Sequence, residues 1–260
     1  MTNLDRDFGL TGKVALITGA TRGIGLAMAE AFVDAGAAVV VAGNVADECA
    51  VVAAQIVAAG GVAMAHCCDV TRPDDLAGLV AATVARFGAI DILVCNAGIP
   101  GPMGPIGAAS DADYDQVFAV NLRHPLRLSC LVAPGMAARG AGAIILTASI
   151  SALRGNKLVG LYGLSKAALT QLARNLAVEW GPRGVRVNAV APGLIATSWA
   201  DNILANPDAS ARRLSLTPLR RVGTPREVAA TAVFLAGAGA GFITGQTIVV
   251  DGGTVISDGG

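Results

Sequence analysis

The sequence predicts an α/β protein, a doubly wound seven-stranded parallel sheet with helices on both faces. Three observations carry this. Seven short β-branched runs alternate with longer Ala-rich segments of helical period, the runs are apolar throughout rather than alternating, and no repeat or Pro/Ser linker interrupts them. The 260 residues are 53% hydrophobic and 15% charged, which suits one large core, so a single domain spanning 1–260 is expected.

The runs follow in order: "VALIT" from Val14, "AVVVA" from Ala38, "VAMAH" from Val62, "IDILVC" from Ile90, "AIILT" from Ala143, "VRVNAV" from Val185 and "TIVV" from Thr247. Helix starts carry side-chain caps, Ser110 leading to Asp113 and Thr224 leading through Pro225 to Glu227. Long Ala-rich helices are expected over 111–137 and 161–180. Gly/Pro-rich stretches at 98–109 and 192–198 each follow a strand, and in such sheets they border the crevice beyond the strand ends. The apolar stretch from Val228 is too short and Gly-broken for a membrane span and reads as a buried helix and turn.

Nineteen basic residues balance nineteen acidic ones without a block of like charge, which argues against nucleic-acid or anionic-membrane partners. Five cysteines, an odd number with no CxxC pair, suit a reducing compartment, and the first ten residues do not read as a secretory signal; a cytoplasmic protein is expected. His66 and His124 lack any metal-binding spacing, so no metal is expected. Ser149 lacks a G-x-S-x-G elbow, which argues against a hydrolase.

Between the first strand and the next helix stands "TGATRGIG", where Gly19, Gly23 and Gly25 let backbone N–H groups approach a pyrophosphate. Later, "YGLSK" sets Tyr162 four residues before Lys166, so both share a helix face. With two tyrosines and three lysines in the chain, the pair reads as a phenol tuned by an ammonium, which favours the phenolate. Ser149 closes the fifth strand, with Ser151 as a nearby rival. Asn121, a poor helix former, is expected to kink its helix around a water linked to Lys166.

Together with "CDV" at 68–70, "CNAG" at 95–98 and "APGLIAT" at 191–197, these motifs resemble the short-chain dehydrogenase/reductase family over about residues 10–253, including members of the 3-oxoacyl-[acyl-carrier-protein] reductase kind. The resemblance implies a single Rossmann-type domain. It implies hydride transfer between a nicotinamide cofactor and a carbonyl or secondary alcohol, with Asn121, Ser149, Tyr162 and Lys166 catalytic. In that frame the cofactor is held by Gly19, Thr21, Arg22, Gly23, Ile24 and Gly25 in the turn, and by Gly43 and Asn44 after the second strand. Asp69 and Val70 meet the adenine, Asn96, Ala97 and Gly98 the ribose, and Pro192, Gly193, Ile195 and Thr197 the carboxamide, with Tyr162 and Lys166 on the nicotinamide ribose. Ser151, Leu153, Val159, Leu194 and Trp199 are expected to wall a mainly apolar substrate pocket, with Arg154 and Lys157 near one rim.

Gly43 stands where an NAD-preferring enzyme carries an acid, and Arg22 offers a charge to a 2′-phosphate, so NADP(H) is favoured over NAD(H). The charge-poor helices and the family resemblance suggest a homotetramer. A cofactor-binding redox sensor and an epimerase or dehydratase stand as alternatives.

Overall fold

In the computed structural model, which describes residues 2–257, seven strands pair in the order β3-β2-β1-β4-β5-β6-β7, every pairing parallel. They are β1 (Val14–Thr18), β2 (Ala38–Gly43), β3 (Val62–Cys67), β4 (Ile92–Cys95), β5 (Gly142–Thr147), β6 (Val185–Pro192) and β7 (Thr247–Val250). All five residues of β1 and all four of β4 are buried, because helices cover both faces of the sheet. That burial is why these strands read as unbroken apolar runs. The run from Ile90 enters its strand two residues late: Asp91 instead bonds β1 sideways, its carboxylate accepting from the Val14 N–H at 3.0 Å.

One face packs α2 (Gly23–Asp34), α3 (Ala46–Ala58) and α10 (Pro225–Ala236) around Phe32, Met28 and Ile17. The other packs α4 (Pro73–Phe87), α6 (His124–Ala138) and α7 (Gly160–Trp180) around Leu93, Ile144 and Met136. Both expected capping boxes are present, at Ser110 with Asp113 and at Thr224 with Glu227.

The expected helix over 111–137 is three pieces: α5 (Asp111–Phe118), a π turn at Ala119–Arg123, and α6. Pro125 has no N–H to return to the Asn121 carbonyl four residues back, and the extra residue of a π turn absorbs the mismatch. Three short helices were not legible in the sequence. They are α1 (Asn3–Phe8), whose Phe8 ring lies 6.0 Å from that of Phe234, and α8 (Asp201–Leu204) and α9 (Pro207–Ser215), which follow β6.

Strand order reverses between β1 and β4, so the chain leaves these neighbours toward opposite faces of the sheet. The crevice that results lies beyond their carboxyl ends.

Candidate active site

The turn from β1 to α2 is built for close backbone approach. Gly19 and Gly23 hold φ of +64° and +58°, which side chains rarely tolerate. A Cβ on Gly19 would come within 2.9 Å of Ala97 Cα, and one on Gly25 would collide with the Gly19 carbonyl. The β4 exit locks onto this turn: Thr18 Oγ1 accepts from the Asn96 and Ala97 N–H groups at 3.1 and 3.2 Å, and Asn96 Nδ2 donates to Gly19 O at 3.1 Å. No side chain caps α2, so its first-turn N–H groups stay available to an anion.

A cavity of about 440 Å³ runs from this turn to the α8–α9 segment. Asp69 lies toward the end of the cavity opposite that segment. One of its oxygens accepts from Thr71 N and Oγ1 at 2.9 and 2.7 Å, which holds the carboxyl below its usual range and leaves the other oxygen for a donor such as an adenine amino group.

Ser149 and Tyr162 both face the cavity. The Ser149 hydroxyl oxygen accepts from the Ser151 N–H at 3.1 Å, which fixes Ser149 and turns Ser151 away from the cavity lining. Lys166 is 3% exposed; its Nζ donates to Thr147 O at 2.7 Å and lies 5.6 Å from the centre of the Tyr162 ring. Burial pushes this ammonium down to about 8. The phenol departs from the sequence expectation. Burial pushes it up to about 12, with the Ser149 hydroxyl acting the other way.

Asn121 is fully buried and does not line the cavity. Its amide clamps the loop after β4, accepting from Ile99 N at 2.9 Å and donating to Ile99 O at 2.9 Å and Ser165 Oγ at 3.0 Å. The expected kink at Asn121 is a π turn, and the Asn121 side chain bonds protein directly.

At the edge expected to meet the ribose, Gly43, Asn44, Thr21 and Arg22 line the cavity. Glu48, in the first turn of α3, was missed. Its carboxylate accepts from Thr21 Oγ1 at 2.9 Å and lies 3.8 Å from Arg22 Nη1. The edge therefore does hold an acid, supplied from α3 rather than from the end of β2.

A family model described as enoyl-(acyl carrier protein) reductase matches residues 19–255. The 7alpha-hydroxysteroid dehydrogenase of Escherichia coli (strain K12) is 39% identical over 246 residues, 95% of each chain. Dehydrogenase/reductase SDR family member 4 of Sus scrofa is 36% identical, over 97% of this chain and 91% of its own. This chain belongs to the short-chain dehydrogenase/reductase family. Among solved structures, a short-chain dehydrogenase described as 7 alpha-hydroxysteroid dehydrogenase complexed with NADH and 7-oxo glycochenodeoxycholic acid superposes with a TM-score of 0.92 at 39% identity, covering 97% of this chain and 98% of its own. A gluconate 5-dehydrogenase from Burkholderia cenocepacia J2315 in complex with NADP and tartrate gives 0.94 at 34% identity, covering 98% and 100%. The family member described here is an NAD(P)-dependent oxidoreductase that transfers hydride between a nicotinamide cofactor and a carbonyl or alcohol. The sensor and epimerase readings give way to that activity.

The fold of this dehydrogenase/reductase brings together on the cavity wall every residue expected to hold cofactor except Gly25, which packs behind the turn. Leu194 and Trp199, expected to wall the substrate pocket, line the cavity, the Trp199 ring lying edge-on 6.0 Å from that of Tyr162. Ser151, Leu153 and Val159 do not line the cavity: Leu153 is exposed, and Val159 bridges Gly104. Arg213 lines the cavity from α9 and was not singled out in the sequence.

Proposed function

We propose that Tyr162 is the general acid/base of this hydride transfer, Ser149 orients the substrate oxygen, Lys166 holds the nicotinamide ribose, and Asn121 fixes the loop beneath them. The observation that carries this is the convergence of the phenol and the Ser149 hydroxyl in one cavity beside a buried ammonium. A bound nicotinamide supplies or takes the hydride. In carbonyl reduction, Tyr162 gives its phenolic proton to the substrate oxygen as negative charge develops there. An alkoxide is a far stronger base than a phenolate, so a phenol at about 12 still donates downhill. In alcohol oxidation the phenolate is the base, so that direction gains as pH rises. Lys166, held by Thr147 O, keeps a positive charge beside the site while it stays protonated.

The test is Ser149→Ala on a panel of ketones and alcohols followed at the reduced-nicotinamide band. Turnover should fall by roughly 10²-fold with cofactor affinity retained; an unchanged rate would remove Ser149 from the mechanism.

The proposed substrate is a modest ketone or secondary alcohol with an apolar body, supported by Leu194, Trp199 and Ile203 and by the oxo-steroid named for one relative. NADP(H) is favoured over NAD(H). Arg22, its side chain 76% exposed, is held only loosely by Glu48 and is free to turn to a 2′-phosphate. We read the chain as one dinucleotide-binding and catalytic domain, cytoplasmic, in keeping with its five free cysteines. Among the described residues, no helix is long and apolar enough to cross a membrane. Exposed Leu131, Leu164 and Val178 on α6 and α7, with Phe242 and Ile256 near the C-terminus, support a homotetramer. Sedimentation should show it at micromolar concentration, and a stable monomer would contradict it.

A further inference from the structure

Arg213 extends from α9 into the same cavity as Leu194, Trp199 and Ile203. Its guanidinium differs from those of the other arginines that reach into the fold. Arg186 donates to Leu235 O at 2.6 Å and to Ala236 O and Gly237 O at 3.1 Å. Arg139 donates to Gly135 O and Ile90 O, and Arg226 pairs with Asp34 at 2.8 Å. Among the described residues, the Arg213 guanidinium has neither a hydrogen-bond acceptor nor an acid within ion-pair distance, although it is partly withdrawn from solvent.

The charged neighbour that acts on it is of like sign. Arg154, just past the short turn that Ser149 caps, adds to burial in holding Arg213 below the usual guanidinium range. A guanidinium does not lose its proton in a protein, so this corner of the cavity stays positively charged and suits an anion. Among the described residues, the only acid lining the cavity is Asp69, which is engaged by Thr71 after β3 and not at this end. Partly desolvated, unpaired donors are costly, and a wall that keeps them in a binding cavity has a use for them.

We propose that Arg213, supported by Arg154, binds a carboxylate at the far end of the substrate, so that this enzyme acts on oxo or hydroxy acids with an apolar body. The carboxylate meets the planar fork of Arg213 bidentately, while the reacting carbon sits at Tyr162 and Ser149. The apolar walls between these points suit a hydrocarbon spacer. The assignment rests on the hydride-transfer reading only for the place of the reacting carbon; the anion site stands on Arg213 itself.

The test uses methyl-ketone carboxylates of increasing chain length, each against its methyl ester, with the reduced cofactor. The wild type should favour the acid over the ester in kcat/KM by about 10- to 100-fold at the best length. Arg213→Gln should bring that ratio close to one through KM, Arg213→Lys should restore part of it, and Arg154→Gln should lower it less. Cofactor affinity of each variant reports that it is folded. A wild type with no preference for the acids, or an Arg213→Gln variant that keeps the preference, overturns the proposal. If no ketone is turned over, the hydride-transfer reading of the site fails instead. Calorimetry of the same acids and esters on cofactor-loaded protein then decides the anion site, which is refuted if acids bind no tighter than esters.

Discussion

Replacing Lys166 with Met keeps the side chain out to Cε and removes its charge, and the structure sets the consequence for stability. Burial lowers this ammonium from 10.5 to about 8, so folding favours its neutral form. Below about pH 8 the folded state therefore bears a penalty of roughly 3 kcal/mol, at about 1.4 kcal/mol for each pH unit between about 8 and 10.5. The penalty fades as pH climbs from about 8 toward 10.5, because the unfolded chain then holds the proton that the folded chain has already lost. Against this, Met leaves Thr147 O without its 2.7 Å donor, at a cost of about 1–3 kcal/mol. At about pH 7 the apoprotein variant should thus be as stable as the wild type or up to about 2 kcal/mol more stable, while turnover is lost. The carbonyl term is independent of pH, so the variant's advantage should shrink by about 2 kcal/mol between about pH 7 and pH 9.5. Urea unfolding of both apoproteins at the two pH values measures the difference, and other titrating groups cancel. A gap that stays constant with pH, or that widens, would refute the burial argument.

Gly25→Ala should lower stability and weaken cofactor binding at least about tenfold: its Cβ would collide with the Gly19 carbonyl and lie 2.8 Å from Gly19 C, and overpacking of about 1–3 kcal/mol outweighs the helix preference for Ala. Gly78→Ala, in α4 with nothing within 4 Å, is the control and should raise stability by about 1 kcal/mol in the same thermal melts. At the ribose edge, Arg22→Ala should weaken NADP binding more than NAD binding, and Glu48→Gln should raise the NADP to NAD ratio of kcat/KM by freeing Arg22 and removing a negative charge. Unchanged ratios in both variants would place the discrimination elsewhere.

The strands were legible because both faces of this sheet are covered, which leaves each strand as an apolar run that needs no tertiary information to recognise. The glycine turn and the Tyr162–Lys166 spacing were equally local. What escaped lies in contacts between distant segments. Glu48 looks like an ordinary acid in a first helical turn, and only the packing of α3 against β2 and β3, next to α2, brings it to Thr21 and Arg22. Arg213 sits in a polar stretch, "SARRLS", that gives no sign of facing a cavity. The direction of the phenol's shift in the cofactor-free chain was not legible for a related reason. Four-residue spacing guarantees a shared helix face, but the proton affinity of Tyr162 follows from how much water its hydroxyl loses, which the sequence does not encode locally. Ser151 and Leu153 follow Ser149 closely in the chain, yet the 3-10 turn after Ser149 carries them away from the cavity, while Val159 is bridged to Gly104.

The central claim is that Tyr162 moves the proton. The most direct measurement is a single turnover in which enzyme loaded with reduced cofactor is mixed rapidly with an accepted ketone and the loss of reduced-nicotinamide absorbance is timed. Tyr162→Phe should slow that step by roughly 10²- to 10⁴-fold while cofactor affinity stays within about twofold of wild type. A variant that transfers hydride at close to the wild-type rate would contradict the account.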